Sequence, residues 1–130
     1  MATAVVLVVD DEADVRFTIR RTLEPEFEIV EAGGGEEAVA AARSRKPSLI
    51  LLDVSMPGRG GLEVLPELRE AAPSARIVML TGERDLVIAS EALAHGAAAY
   101  VTKPFDVEQL RAEVRGREKT EDARPWRVQL

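Results

Sequence analysis

Leu49-Ile50-Leu51-Leu52-Asp53-Val54-Ser55-Met56-Pro57-Gly58-Arg59-Gly60-Gly61 is the stretch that decides how the rest of this chain is read. Four consecutive large aliphatic residues are too few to span a membrane and too unbroken for a strand with one wet face. They predict a strand buried on both sides. The run stops on a single carboxylate, Asp53, and passes into a loop holding Pro57, Gly58, Gly60 and Gly61, residues that permit sharp turns and close backbone approach. An acid at the carboxyl end of a buried strand, under such a loop, is where open α/β sheets place their chemistry. An isolated Asp before a helix is more often a cap than a reactive group. The other strands decide between the two readings.

Outward from this stretch the same design recurs. Val5-Val6-Leu7-Val8-Val9 is another unbroken run, and it ends on Asp10-Asp11-Glu12. Arg76 to Leu80 ends in Thr81-Gly82-Glu83, and Ala97 to Thr102, which contains Tyr100, delivers Lys103-Pro104-Phe105. Phe27 to Glu31 alternates apolar and acidic residues, as an edge strand does.

Helical periodicity fills the intervals. A helix from Asp14 to Leu23 carries Val15, Ile19 and Leu23 as its inner stripe, with Arg16, Arg20 and Arg21 mostly outside, and Pro25 stops it. Gly33-Gly34-Gly35 leads into a helix from Glu36 to Arg45, acidic at its start and basic at its end. These glycines match neither phosphate-loop fingerprint and read as a flexible turn. Leu62 to Ala72 places Leu62, Leu65 and Leu68 inward, with Pro66 near the first turn, where a missing N–H costs least. A helix from Asp85 to His95 stops at Gly96, which puts the single histidine in a surface or capping position. The last helix begins near Asp106, with Val107, Leu110 and Val114 at helical spacing, and fades into Gly116.

Composition narrows the function classes. At 130 residues the chain suits one domain with a sizeable core. It has no cysteine, hence no disulfide, thiolate metal site or cysteine nucleophile, in keeping with a reducing compartment. No apolar run approaches a membrane span and the start has no basic leader, so a soluble cytoplasmic protein is expected. The net charge of −6 and the 4% aromatic content argue against direct nucleic-acid binding by this chain.

Five strands alternating with five helical patterns predict βα units in a parallel sheet with helices on both faces. Right-handed crossovers then bring every strand's carboxyl end to one rim. That rim collects Asp10 and Asp11, Asp53, Thr81 and Lys103. Three crowded carboxylates repel one another and require a cation. An all-oxygen ligand set without His or Cys suits Mg2+. Acids, one Lys and one hydroxyl around a protruding Asp are what phosphoryl transfer onto a carboxylate requires.

The segments Val8-Val9-Asp10-Asp11-Glu12, Leu51-Leu52-Asp53-Val54-Ser55-Met56-Pro57, Met79-Leu80-Thr81-Gly82 and Gly96 to Phe105 resemble the response-regulator receiver domain of two-component signalling, the CheY-like family. The likeness covers residues 4–116, and leaves 117–130 as a helix extension, linker or tail. It implies a single doubly wound, flavodoxin-like sheet in the order 2-1-3-4-5. It also implies that Asp53 is the phosphoacceptor, served by a histidine kinase or a histidine phosphotransfer protein. Asp10, Asp11, Asp53 and the backbone carbonyl of Ser55 would hold Mg2+, and Lys103 would bind the phosphoryl group, with a cis bond to Pro104. Thr81 and Tyr100 would form the switch. The surface of the fourth helix, fifth strand and fifth helix would be read by an effector or an output domain outside these residues, or would form a homodimer. The protein would then be a signalling switch, catalysing only its own phosphotransfer and dephosphorylation.

Ser55, two residues after the acceptor, is smaller than is common in the family, and Glu83, two after Thr81, is acidic. In the family these positions influence the lifetime of the phosphoryl group, so an individual lifetime is expected. Trp126, between Arg124 and Arg127, reads as part of a loose tail. Two other classes fit the pattern less well. A Mg2+-dependent phosphatase resembling the haloacid dehalogenase group would carry an acid where this chain has Ser55. A nucleotide- or flavin-binding domain would need the phosphate loop that is missing.

Overall fold

The structure, a computed structural model, describes residues 4–24, 26–82 and 85–115. Strands β1 (Val5–Val9), β2 (Glu28–Ala32), β3 (Leu49–Asp53), β4 (Arg76–Thr81) and β5 (Ala99–Thr102) alternate with helices α1 (Ala13–Leu23), α2 (Gly35–Arg45), α3 (Gly61–Ala71), α4 (Leu86–Ala94) and α5 (Val107–Arg115). The strands form one sheet in the order β2-β1-β3-β4-β5, every pair parallel. This is the order that the resemblance implies, with β2 at one edge and β5 at the other.

Strict alternation within the apolar runs builds two cores. Leu7, Val9, Ile50, Leu52, Ile77 and Met79 face α2, α3 and α4, where Val64, Leu65, Leu68, Ala89 and Ala92 meet them. Val6, Val8, Leu49, Leu51, Val78 and Leu80 face α1 and α5, whose Ile19, Leu23 and Leu110 close the second layer. β3 is buried along its whole length, as its unbroken run predicts.

Several local expectations change. The Gly33–Gly35 run, expected as a flexible turn, turns only at Gly33 and Gly34. Gly34 is extended (φ −167°), and Gly35 is the first residue of α2, where a Cβ would lie 2.7 Å from Val64 Cγ2. The requirement there is close packing of α2 on α3, and Glu37 reaches back to accept the Gly33 N–H. Pro66 lies in the second turn of α3, exposed to solvent, where it removes one intrahelical bond. On α3 the buried residues are Gly61, Val64, Leu65 and Leu68, with Leu62 only half-buried. On α5, Val107 turns outward at 40% exposure and Glu113 turns inward. Arg16 and Arg20 do not stay outside, since both fold back over Glu31 of β2. His95 caps the end of α4, exposed, with Nδ1 3.0 Å from Glu91 O.

Candidate functional site

Backbone bonds beyond the strand ends align one rim of the sheet. Asp10 N–H donates to Ala32 O (3.1 Å), Val54 N–H to Leu80 O (2.9 Å) and Lys103 N–H to Thr81 O (2.7 Å). The residues that follow β1, end β3 and β4, and follow β5 are therefore held side by side. Gly61 fits closely behind them, because a Cβ there would fall 2.3 Å from Asp53 O.

Asp10 is fully buried, Asp53 is 3% exposed and Asp11 is exposed. Carboxylate oxygens of the three lie within 4.8 Å of one another. Lys103 Nζ sits 3.1 Å from Asp10 Oδ2 and 3.3 Å from Asp53 Oδ1, so one ammonium serves two buried acids. Asp53 Oδ1 also accepts the Ser55 N–H (3.2 Å), and Asp10 Oδ1 accepts the Glu12 N–H (2.9 Å). Among the described residues, Asp10 Oδ2 is buried without a hydrogen bond and in ion-pair contact with Lys103 alone. The Lys103–Pro104 peptide bond is cis.

The charge balance is unfavourable without a further cation. Burial, then the negative charge of Asp10, push the Asp53 carboxyl up to about 7 against the pull of Lys103 and the Ser55 N–H. Burial draws the Lys103 ammonium down, but Asp10 and Asp53 together outweigh it and its pKa lies above the usual value. Two buried carboxylates, an exposed third and an oxygen lacking a hydrogen bond are the donor set a small hard divalent cation takes.

The acids open into a cleft of about 550 Å3 lined by Asp11, Glu12, Asp53, Ser55, Asp85 and Lys103 among others. Thr81 is fully buried at the end of β4, its hydroxyl donating to Gly82 O (3.0 Å). Tyr100 is buried in the core on the α4 side, and burial raises its phenol pKa. Thus Asp10, Asp11, Asp53 and Lys103 are brought together, Ser55 faces the same cleft, Thr81 ends the adjacent strand and Tyr100 lies in the core beside it. Glu83 and the tail with Trp126 lie outside the described residues.

Two participants were missed by periodicity. Asp85 lines the cleft from the start of α4. Arg16 donates to the backbone carbonyl of Asp10 at 2.7 Å. The available signal was the pairing of Arg16 and Arg20, one helical turn apart, with an acid on the neighbouring strand.

The chain matches the family model for the response regulator receiver domain over residues 6–115. It belongs to that family. As a receiver domain it is similar to the DNA-binding response regulator MtrA of Mycolicibacterium paratuberculosis, 39% identical over 121 residues that cover 92% of this chain and 53% of that protein. Among solved structures it resembles the chemotaxis protein CheY4 of Vibrio cholerae, with a TM-score of 0.81 and 33% identity over 88% of this chain and 98% of that one. It also resembles the receiver domain of NtrX from Brucella abortus, with a TM-score of 0.80 and 33% identity over 85% and 94% of the two chains. The receiver spans about half the length of the curated relatives it matches first. Among the described residues, no helix is long and apolar enough to cross a membrane.

Proposed function

We propose that this receiver is a phosphorylation-controlled switch in which Asp53 accepts a phosphoryl group from a histidine kinase or a histidine phosphotransfer protein. The observation that carries the reading is the pair of contacts from Lys103 Nζ to buried Asp10 and to Asp53, where Lys103 and Asp53 line an acidic cleft. Asp53 Oδ1 is engaged by Lys103 and the Ser55 N–H, so we assign Oδ2 as the attacking oxygen. Asp10, Asp11, Asp53 and the Ser55 carbonyl would hold Mg2+, which supplies neutralisation of the phosphoryl oxygens. Lys103 exchanges part of its hold on the two acids for the transferred group, and backbone contacts keep Asp53 in place. Residues 4–116 form the receiver unit of this proposal, with 117–130, which lie outside the described residues, as a helix extension, linker or tail.

The signal is a two-state bias. A new dianion on Asp53 gives the Thr81 hydroxyl a partner it lacks beforehand, at the cost of its bond to Gly82 O, and Tyr100 responds beside it. Differential contacts of this kind couple sites by about 1–3 kcal/mol. The α4-β5-α5 surface is then read by an effector or output domain, or pairs with a second copy. Val87, 79% exposed on α4, and Val107 on α5 leave apolar area on that surface.

The test is incubation with Mg2+ and acetyl phosphate, beside Asp53→Asn. The expected result is one equivalent of acyl phosphate, released by alkali and by hydroxylamine, on the wild type and none on the variant. Uptake by the variant, or an adduct that survives hydroxylamine, rejects the reading. Substituting Ser55 or Glu83 is expected to alter the rate at which the label is lost. Unchanged rates would remove both residues from control of the lifetime.

A further inference from the structure

Asp10 is held at both its backbone N–H and its backbone carbonyl, the first by Ala32 of β2 and the second by Arg16 of α1. Its N–H donates to Ala32 O at 3.1 Å, and its carbonyl accepts Arg16 Nη1 at 2.7 Å. The same guanidinium is gripped through Nε by Glu31 Oε1 at 2.8 Å. Glu31 is fixed in turn, since its second oxygen accepts Arg20 Nε at 2.8 Å, and the two arginines hold its carboxyl below the usual range. Arg16 thus spans α1, the end of β1 and β2 with its side chain only 20% exposed. An arginine can do this where a lysine cannot, because its planar fork presents two donors in fixed directions.

These bonds leave the Asp10 carboxylate little freedom. Its Oδ1 is tied to the Glu12 N–H, its carbonyl and amide are tied to Arg16 and β2, and only Oδ2 lacks a hydrogen bond. We propose that Arg16 is a positioning residue for the cation site, fixing through the Asp10 carbonyl the direction in which Asp10 presents Oδ2 to a divalent ion and to Lys103. The proposal rests on the cation-dependent reading above. Partners behind the direct ligands typically govern metal affinity 10- to 100-fold. One effect opposes it: a guanidinium near the site repels a cation. Its pairing with Glu31 offsets that charge, so positioning should win.

Calorimetric titration with Mg2+ decides the matter on wild type, Arg16→Gln and Arg20→Gln, with chelator-treated melts run alongside. Arg20→Gln breaks the outer pairs to Glu31 and Glu24 but leaves Arg16 on Asp10, and so serves as the stability control. The expected result is a Kd for Mg2+ raised about tenfold in Arg16→Gln and little changed in Arg20→Gln, even where the two lose similar thermal stability. In phosphorylation assays the half-saturating Mg2+ concentration should rise in Arg16→Gln while the rate at saturation is retained. If Arg16→Gln does not fold, Arg16→Lys is expected to shift the Kd in the same direction, because a single ammonium cannot span Asp10 O and Glu31 together. Equal or tighter Mg2+ binding by the Arg16 variant, or equal weakening by Arg20→Gln, overturns the proposal and leaves the cation site standing. A wild type that takes up no Mg2+ overturns both.

Discussion

At the scale of single residues, the Asp53 carboxylate is destabilised by its place beside Asp10. Burial and the neighbouring acid push its carboxyl up to about 7, above the ordinary value it regains on unfolding. The folded state then binds a proton more tightly than the unfolded one. Its stability contribution is fullest below the unfolded pKa and is lost as pH rises towards the folded value. In chelator, Asp53→Asn should therefore be more stable than wild type. The advantage should grow by about 2.6 kcal/mol between pH 5 and pH 8, as the shift implies at 1.36 kcal/mol per unit. Denaturant titrations at the two pH values measure this, and an advantage independent of pH would contradict it. Asp11 makes the opposite case. It is exposed and has no buried charge to relieve, so Asp11→Asn should leave the metal-free melting temperature unchanged and reduce only the response to Mg2+.

At the scale of elements, the contacts that seat the helices are unequal in kind. α3 begins against the end of β3, with Gly61 N–H on Val54 O at 2.9 Å and no room for a Cβ beside Asp53 O. Gly61→Ala should cost about 1–3 kcal/mol and slow phosphorylation, since overpacking here displaces the Asp53 backbone. Gly60→Ala, whose Cβ would stand 3.1 Å from Val54 O, should cost less. α5 is fastened to β4 by Arg76, which donates to Glu113 O at 3.0 Å and to its carboxylate. Glu113 is 2% exposed, whereas the Arg76 side chain reaches water at 28%. Arg76→Ala strands a buried carboxylate and should cost about 3 kcal/mol, but Glu113→Ala leaves a guanidinium that can rehydrate and should cost roughly a third as much. Urea unfolding of the two variants tests the asymmetry, and equal losses would show that the pair is not divided in this way.

At the scale of the whole molecule, a cation that binds only the folded chain stabilises it by mass action. At 100 times its Kd, Mg2+ should add about 2.7 kcal/mol and raise the melting temperature by roughly 10 °C, and Asp11→Asn should shrink that rise. No rise at millimolar Mg2+ would count against the cation site. The unbroken runs at Val5–Val9, Leu49–Leu52 and Ile77–Leu80, separated by amphipathic helices, determined by themselves a parallel sheet covered on both faces. They also determined that Asp10, Asp53, Thr81 and Lys103 stand at one rim, because burial of apolar faces and crossover handedness act on local pattern. Which charged side chains turn inward was decided only by tertiary structure. Arg16 meets Asp10 and Glu31, and Arg76 meets Glu113 across 37 positions, because long side chains at the margin of a core swing to whichever partner the packed chain brings within reach. Periodicity records which face of an element is apolar; it holds no record of the distance between a helix end and a strand that meet only when the chain is folded.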